Sequence, residues 1–399
     1  MPSNPLPLAG IRVLDMSRVL AGPYCGLLLS LLGAEVIKVE DKSGDESRQW
    51  PPIERDMGTP YLALNLNKKG IVVDLKSEAG KQIIRDLVGQ MDILIENFKT
   101  GTMENFGLGF ESLKELNPRL IFVSISAFGR EGPRANDLGY EALMQAYSGP
   151  MSMTGLPGGE PVRCGVSFLD MSTGGFSALA AMTALYQRER TGQGAKIEAS
   201  LLQSALGLMT YQVASFLQDG VVQGKLGSAH PMVVPYQGYA TADGHIFIAS
   251  ANQNLFERFC RTLGHEELIA DPRYQNNAAR VKHREELLET LYEAVGVFKT
   301  DDLMTRLEEA GVPCTRINDM RELMQDGQVD ALGALLHIQD PDYGPLRLVG
   351  LPFFINGARN DDARRAPRLG EHTTEILKGL GYDAPRIASL FEENVVSGV

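Results

Sequence analysis

The sequence predicts an α/β protein, with a large doubly wound domain and a smaller α+β domain. Short apolar runs alternate with helical segments from residue 11 to about 200, the pattern of a mostly parallel sheet with crossover helices. That alternation stops near residue 220, in the loop-like stretch Gln223-Gly-Lys-Leu-Gly-Ser-Ala-His230. Two strand-like runs then flank an Asp243-Gly244 turn within 236–250, a strong hairpin signal.

The elements follow in order. Ile11-Arg-Val-Leu-Asp15 reads as a strand, 17–23 as a loop, and 24–32 as a helix whose first turn suits Pro23. Gly33 closes the helix, and 34–39 form a second strand ending at Glu40. The crossover between them is expected to be right-handed, with parallel strands. Next come a strand at 70–75, a helix at 77–88, and a strand at 92–95 that ends in Glu96-Asn97-Phe98. Short helices at 103–106 and 110–116 precede a buried strand at 120–126. Helices at 141–147 and 173–187, a strand at 195–199 and a helix at 201–218 complete the first pattern. Beyond the hairpin, helices are expected at 253–263, 283–297 and 300–310, and a strand at 346–349. The expected division is a large domain from 1–224, a small α+β domain from 225–325, and a segment from 326–399. That last segment has no core of its own, so it should return to the large domain.

Composition narrows the function. The 399 residues are 44% hydrophobic and 22% charged, with a net charge of −12. Such a balance argues against nucleic acid, whose phosphates need surplus Lys and Arg. No apolar run has the length of a membrane span, so no membrane partner is expected. The first residues lack a secretory signal, and the four cysteines (25, 164, 260, 314) form no C-x-x-C. A cytoplasmic location is the expectation. The six histidines (230, 245, 265, 283, 337, 372) show no ligand spacing, so no metal site is expected.

One acidic residue stands out. Asp170, in Cys164-Gly-Val-Ser-Phe-Leu-Asp-Met-Ser-Thr-Gly-Gly175, separates a strand-like run from a long Ala/Leu-rich one. At a helix start it would serve either as an N-cap or, ionised at neutral pH, as a nucleophile that needs no base. The first βα loop, Ser17-Arg-Val-Leu-Ala-Gly-Pro23, is not G-x-G-x-x-G, which disfavours a nicotinamide or flavin dinucleotide. No Walker A sequence or G-x-S-x-G elbow occurs. Arg18, Lys38, Lys42, Arg48, Lys68, Lys69 and Lys99 cluster near strand ends, where they could hold phosphates or be ordinary surface charge.

Singly these signals are weak, but their ordered set is specific. It comprises Gly10-Ile-Arg-Val-Leu-Asp-Met-Ser-Arg-Val-Leu-Ala-Gly-Pro23, Leu32-Gly-Ala-Glu-Val-Ile-Lys-Val-Glu40, Asn67-Lys-Lys69 and Glu96-Asn-Phe98. Phe106-Gly-Leu-Gly109, Phe168-Leu-Asp-Met-Ser-Thr-Gly174, Gly311-Val-Pro313 and Leu369-Gly-Glu-His-Thr373 complete it. From about residue 9 to about 385 the chain resembles the family III (CaiB/BaiF) CoA-transferases. Pro235-Tyr-Gln-Gly-Tyr239 and Asn252-Gln-Asn254 resemble the branch containing succinate–hydroxymethylglutarate CoA-transferase.

The resemblance implies a Rossmann-like large domain, an interlocked homodimer, and CoA transfer between carboxylic acids with no tightly bound cofactor. Coenzyme A and acyl-CoA are then substrates, and Asp170 is the covalent nucleophile. Matching CoA-contact positions are Arg18, Val19, Leu20, Ala21, Lys68, Asn97, Phe98, Lys99, Asn105 and Tyr140. Tyr140, Glu141, Gly174, Gly175, Asn252 and Gln253 match the substrate and oxyanion surroundings. Departures are Leu20 where some relatives carry Gln, and Asp41 and Asn105 where some carry Arg; Arg18 or Arg48 would compensate for Asp41. The polar Ser250-Ala-Asn-Gln-Asn254 stretch stands where formyl-CoA transferase has a glycine-rich loop, which points to a C4–C6 dicarboxylate acceptor and a succinyl-CoA donor. The related α-methylacyl-CoA racemases place a catalytic His where this chain has Tyr140, a poor base at neutral pH. A silent CoA-binding protein would have no use for Asp170.

Overall fold

The computed structural model describes residues 6–357, 359–360 and 362–398. They divide into two compact units. The first comprises Met1–Ser148, Gly165–Thr210 and Gln328–Val399; the second comprises Gly149–Cys164 and Tyr211–Gly327. The second unit thus includes a segment from 149 to 164 that the sequence division leaves in the large domain.

The first unit is built on one sheet. Its parallel strands are β1 (Arg12–Asp15), β2 (Glu35–Glu40), β3 (Lys69–Val73), β4 (Ile93–Glu96), β5 (Ile121–Ser126) and β6 (Ala195–Ser200). Their order across the sheet is β3-β2-β1-β4-β5-β6, and a C-terminal strand, Val396–Ser397, adds antiparallel to β3. The main helices are α1 (Ala21–Leu31), α2 (Glu78–Val88), α3 (Glu141–Ser148), α4 (Phe168–Thr191) and α5 (Leu201–Leu208).

Alternate strand residues face opposite sides, and both sides are buried, so the central strands read as nearly unbroken apolar runs. On one face Val13, Val36, Ile95 and Val123 pack with Cys25, Leu29, Leu169 and Ala181 of α1 and α4. On the other, Leu14, Ile37, Ile71 and Leu94 pack with Ile83, Ile84 and Leu87 of α2. That face also takes Leu377 and Leu390 from C-terminal helices Thr373–Gly379 and Ala384–Glu392. This is the doubly wound arrangement the alternation predicts. The strand order reverses between β1 and β4, so a ligand crevice is expected beyond their carboxyl ends.

The second unit carries the expected hairpin, Tyr236–Ala240 antiparallel to His245–Ala249, with Cys314–Arg316 as a third strand. Its core includes Tyr239, Ile246, Ile248, Phe256, Phe259 and Leu303.

Three expectations change. α4 begins at Phe168 rather than Thr173; its N-cap, Ser167, makes no side-chain bond to the free N–H groups, so no capping signal marks the start. The 201–218 helix is broken at Met209 into Leu201–Leu208 and Thr210–Asp219. The strand at 346–349 extends to Gly344–Val349 and pairs with an unforeseen strand, Leu335–Asp340. Among the described residues no helix is long and apolar enough to cross a membrane.

Candidate active site

The switch point is occupied by the loop after β1 and by Asn97-Phe98 after β4. Asn97 ties them together: its Oδ1 accepts from the Arg18 N–H and its Nδ2 donates to the Arg18 carbonyl, each at 2.8 Å. Below the loop lies a buried ionic layer. Lys68 Nζ donates to Asp15 Oδ2, Pro23 O and Asn65 Oδ1 at 2.8, 2.9 and 2.8 Å. Asp15 Oδ1 accepts the Ser17 N–H at 3.0 Å, and Lys38 Nζ donates to Ser17 O at 2.7 Å. Burial alone would push the Asp15 carboxyl up, but Lys68 and Lys38 outweigh it and hold it below the usual carboxylate range.

Above this layer is a cavity of about 230 Å³. It is lined by Arg18, Val19, Leu20 and Ala21 of the loop, Asn97 and Phe98, Leu138 to Glu141, Asp170 and Leu201, with Glu46, Ile125, Ser126 and Ala127. Four helices begin on it: α1 at Ala21, α3 at Glu141, α4 at Asp170 in its first turn, and α5 at Leu201. A helix N-terminus carries free N–H groups and partial positive charge, which set donors for an oxyanion against the Glu46, Glu141 and Asp170 carboxylates of the same cavity. Ser200 caps α5 by accepting the Gln203 N–H; the first N–H groups of α1 and α4 have no side-chain cap.

Asp170 is the third residue of α4 rather than its N-cap, so the capping reading is corrected. It is 9% exposed and accepts no side-chain or backbone hydrogen bond among the described residues. Burial, and then the nearby Glu141 carboxylate, push its pKa up to about 7. The expectation of full ionisation at neutral pH is therefore corrected: the carboxylate is basic enough to be nucleophilic and is partly protonated near neutrality. Glu141 itself is fixed by a 2.6 Å hydrogen bond from Gln145 Nε2. A rate governed by attack of Asp170 should rise with pH through about 7 and then level off. A single-turnover profile that stays flat between about pH 5 and pH 9 would contradict this.

Other expected residues fall elsewhere. Lys68 is fully buried with three acceptors, so it supports the loop and does not touch a ligand. Lys38 is likewise internal, paired with Asp45 at 3.0 Å. Arg48 cannot compensate for Asp41, because Glu40 holds it in two hydrogen bonds of 2.8 and 2.7 Å. Arg18 differs: its 2.5 Å pair with Asp41 is about two-fifths exposed on both sides, the kind of pair that contributes little. Asn105 is exposed and lies outside the cavity, while Lys99 lines a separate polar pocket with Glu96 and Arg130. Asn252 and Gln253 lie in the second unit, where Asn252 caps the helix Gln253–Leu263 and Gln253 accepts from buried Arg280 at 2.6 Å.

Gly174 and Gly175 are not oxyanion donors. They lie beyond the first turn of α4, where each N–H is used within the helix. Gly174 serves instead where α4 crosses α1: a Cβ there would lie 2.4 Å from Ala21 O, whereas one at Gly175 would meet open space. Gly174→Ala should therefore destabilise the protein by about 1–3 kcal/mol, and Gly175→Ala should be neutral or stabilising by up to ~1 kcal/mol. Thermal unfolding of the two variants distinguishes them; equal effects would contradict the crossing geometry.

A second cavity, about 190 Å³, shares Arg18 and Phe98 with the first and continues over Met16, Val39, Leu75, Lys76 and Phe106. Sequence reasoning missed it, along with Glu46 and Ser126, because strand-end and loop residues carry no periodic signal. Among the described residues no group of three or more His, Cys, Asp or Glu could hold a metal ion.

The sequence profile of CoA-transferase family III matches residues 8–373. The chain is 37% identical over 397 residues to human succinyl-CoA:glutarate CoA-transferase, covering 99% of this chain and 91% of that protein. It is 38% identical over 388 residues to a succinate–glutarate CoA-transferase of Agrobacterium fabrum, covering 95% and 97%. A solved CaiB/BaiF family protein from Brucella suis superposes with a TM-score of 0.84 at 37% identity, covering 94% of this chain and all of that one (100%).

Proposed function

The chain belongs to CoA-transferase family III, and from that membership we propose that it moves CoA from succinyl-CoA to a C4–C6 dicarboxylate, with Asp170 as the covalent nucleophile. The observation that carries this reading is a buried carboxylate that accepts no hydrogen bond among the described residues, in a cavity where four helices begin. The names of the two relatives point the same way for substrates, since both pair a C4 with a C5 dicarboxylate.

The steps balance without a metal or redox group. The Asp170 carboxylate attacks the thioester carbonyl of the donor, the C–S bond breaks, and a mixed anhydride and CoA thiolate result. The thiolate attacks the aspartyl carbonyl, releasing the donor acid and leaving CoA on Asp170 as a thioester. The acceptor carboxylate attacks that thioester, again giving an anhydride and thiolate. The thiolate then attacks the acceptor acyl carbonyl, forming the new acyl-CoA and freeing Asp170. Each attack passes through an oxyanion, and the uncapped starts of α1 and α4 supply N–H donors and positive potential for it.

CoA is long, and the two cavities share Arg18 and Phe98 in their linings. We place the thioester end beside Asp170 and the nucleotide end in the second cavity, with Arg18 and Phe98 at the junction. Among the described residues no cysteine is in a disulfide, which supports a reducing compartment. A homodimer is part of the proposal, supported by an apolar stripe on α4: Phe176, Leu179 and Tyr186 are 45, 64 and 65% exposed. Sedimentation that finds only monomer would remove that part. A racemase is disfavoured because, among the described residues, no imidazole lines the cavity around Asp170.

The test is to incubate the protein with succinyl-CoA and a panel of acids and to follow new thioesters by mass. Transfer to glutarate or other dicarboxylates, with little to formate or carnitine, is expected. Exchange of the α-proton of a branched acyl-CoA without transfer to any acid would overturn the reading.

A further inference from the structure

Val19 is a β-branched residue with φ of +69°, in the left-handed region that such side chains avoid. It lies between the end of β1 and the start of α1 and lines the cavity that holds Asp170. Nothing in its own sequence neighbourhood favours that conformation, since glycine is the residue that adopts it freely. Something else must hold it.

The holder is Asp45. Both of its oxygens accept the Val19 N–H, each at 3.2 Å. Asp45 and its partner Lys38 have no exposed side-chain surface, and their charged atoms are 3.0 Å apart. Lys38 also donates to Ser17 O, while Asn97 holds both the N–H and the carbonyl of Arg18. Each backbone polar group from the Ser17 carbonyl to the Val19 N–H is thus held by a side chain from elsewhere in the chain. The left-handed turn at Val19 reverses the chain between β1 and α1, so that the open N–H groups of α1 begin at the cavity.

We propose that Asp45 is a positioning residue for CoA transfer: anchored by Lys38, it holds Val19 in its left-handed conformation and so presets the loop that the acyl-CoA thioester meets. The inference rests on the CoA-transfer reading of the cavity. It adds a residue that reaches the reaction only through the Val19 backbone. Asp45 also accepts the Ser47 N–H at 3.0 Å, so loss of that local turn is a competing structural role.

The test separates the two roles by relieving Val19 itself. Asp45→Asn is expected to lower kcat/KM for acyl-CoA by at least about tenfold, because small displacements at a reacting site are costly in rate. Val19→Gly alone should lower activity, since it loosens the loop. In the Asp45→Asn background the same Val19→Gly change should raise kcat/KM by at least ~3-fold, because glycine adopts positive φ without help. The melting temperature should not recover in parallel.

If Asp45→Asn yields too little folded protein, Lys38→Met with Asp45→Leu removes both buried charges together and takes its place, with and without Val19→Gly. The proposal is overturned if Val19→Gly brings no recovery, or if activity merely tracks the folded fraction. CoA titration of the wild-type protein is the control on the function itself. Wild-type binding and transfer with an indifferent Asp45→Asn variant overturns only the positioning role. A wild-type protein that neither binds CoA nor transfers it overturns both.

Discussion

Asp170→Asn is expected to abolish CoA transfer, by at least ~10³-fold, while leaving CoA binding within a few-fold of wild type. The amide keeps the shape of the side chain and cannot form the anhydride. The same change should stabilise the protein, with a definite pH dependence. Burial and Glu141 raise the Asp170 pKa in the folded state from 3.8 to about 7. A raised carboxyl pKa means that the ionised form is disfavoured by folding. The penalty is absent below the unfolded pKa, grows between about 4 and 7, and is complete above 7. Asn removes it, so the variant should exceed wild type by ~1–4 kcal/mol at about pH 8 and match it near pH 4. Thermal melts at the two pH values check this. A variant destabilised at pH 8 would show that the folded state prefers the Asp170 charge, and the nucleophile would lose its raised basicity.

Lys68→Met should have the largest effect on stability, about 3–5 kcal/mol, because it leaves the Asp15 carboxylate buried and without its 2.8 Å partner. Neither side chain of that pair has any exposed surface. By contrast, Lys81→Met, which breaks a pair to the largely exposed Glu78, should change stability by less than ~0.5 kcal/mol. Denaturant titration of both variants gives the comparison. Equal effects would mean that the ionic layer under the β1–α1 loop adds no more than a surface pair, and the account of a preset loop would fail with it.

The parts of this molecule visible in the sequence are those with local or periodic causes. β1 to β5 are short apolar runs because both faces of the sheet are covered, and α2 declares itself through Ser77, which caps it by accepting the Gly80 N–H. The Asp243-Gly244 turn marked the hairpin for the same local reason. Asp170 stands out by its apolar setting, but its place inside α4 is hidden because Ser167 contributes no cap. Lys38 and Lys68 looked like phosphate-binding cations because their neutralising partners are elsewhere. Asp15 is 53 positions from Lys68, a separation no spacing rule detects. Asp45 carries no sequence signal for the same reason: its bond to Val19 spans 26 positions. The two-residue C-terminal strand is too short to show any alternation and exists because β3 offers it an edge.

The central claim is that Asp170 carries CoA during turnover. The most direct measurement mixes the protein with succinyl-CoA in the absence of acceptor, quenches, digests, and determines the masses of the peptides. The account predicts a CoA thioester on the peptide containing Asp170, discharged when a dicarboxylate acceptor is added before the quench. Label on the Glu141 peptide instead, or continued transfer with no labelled peptide at any time point, would contradict it.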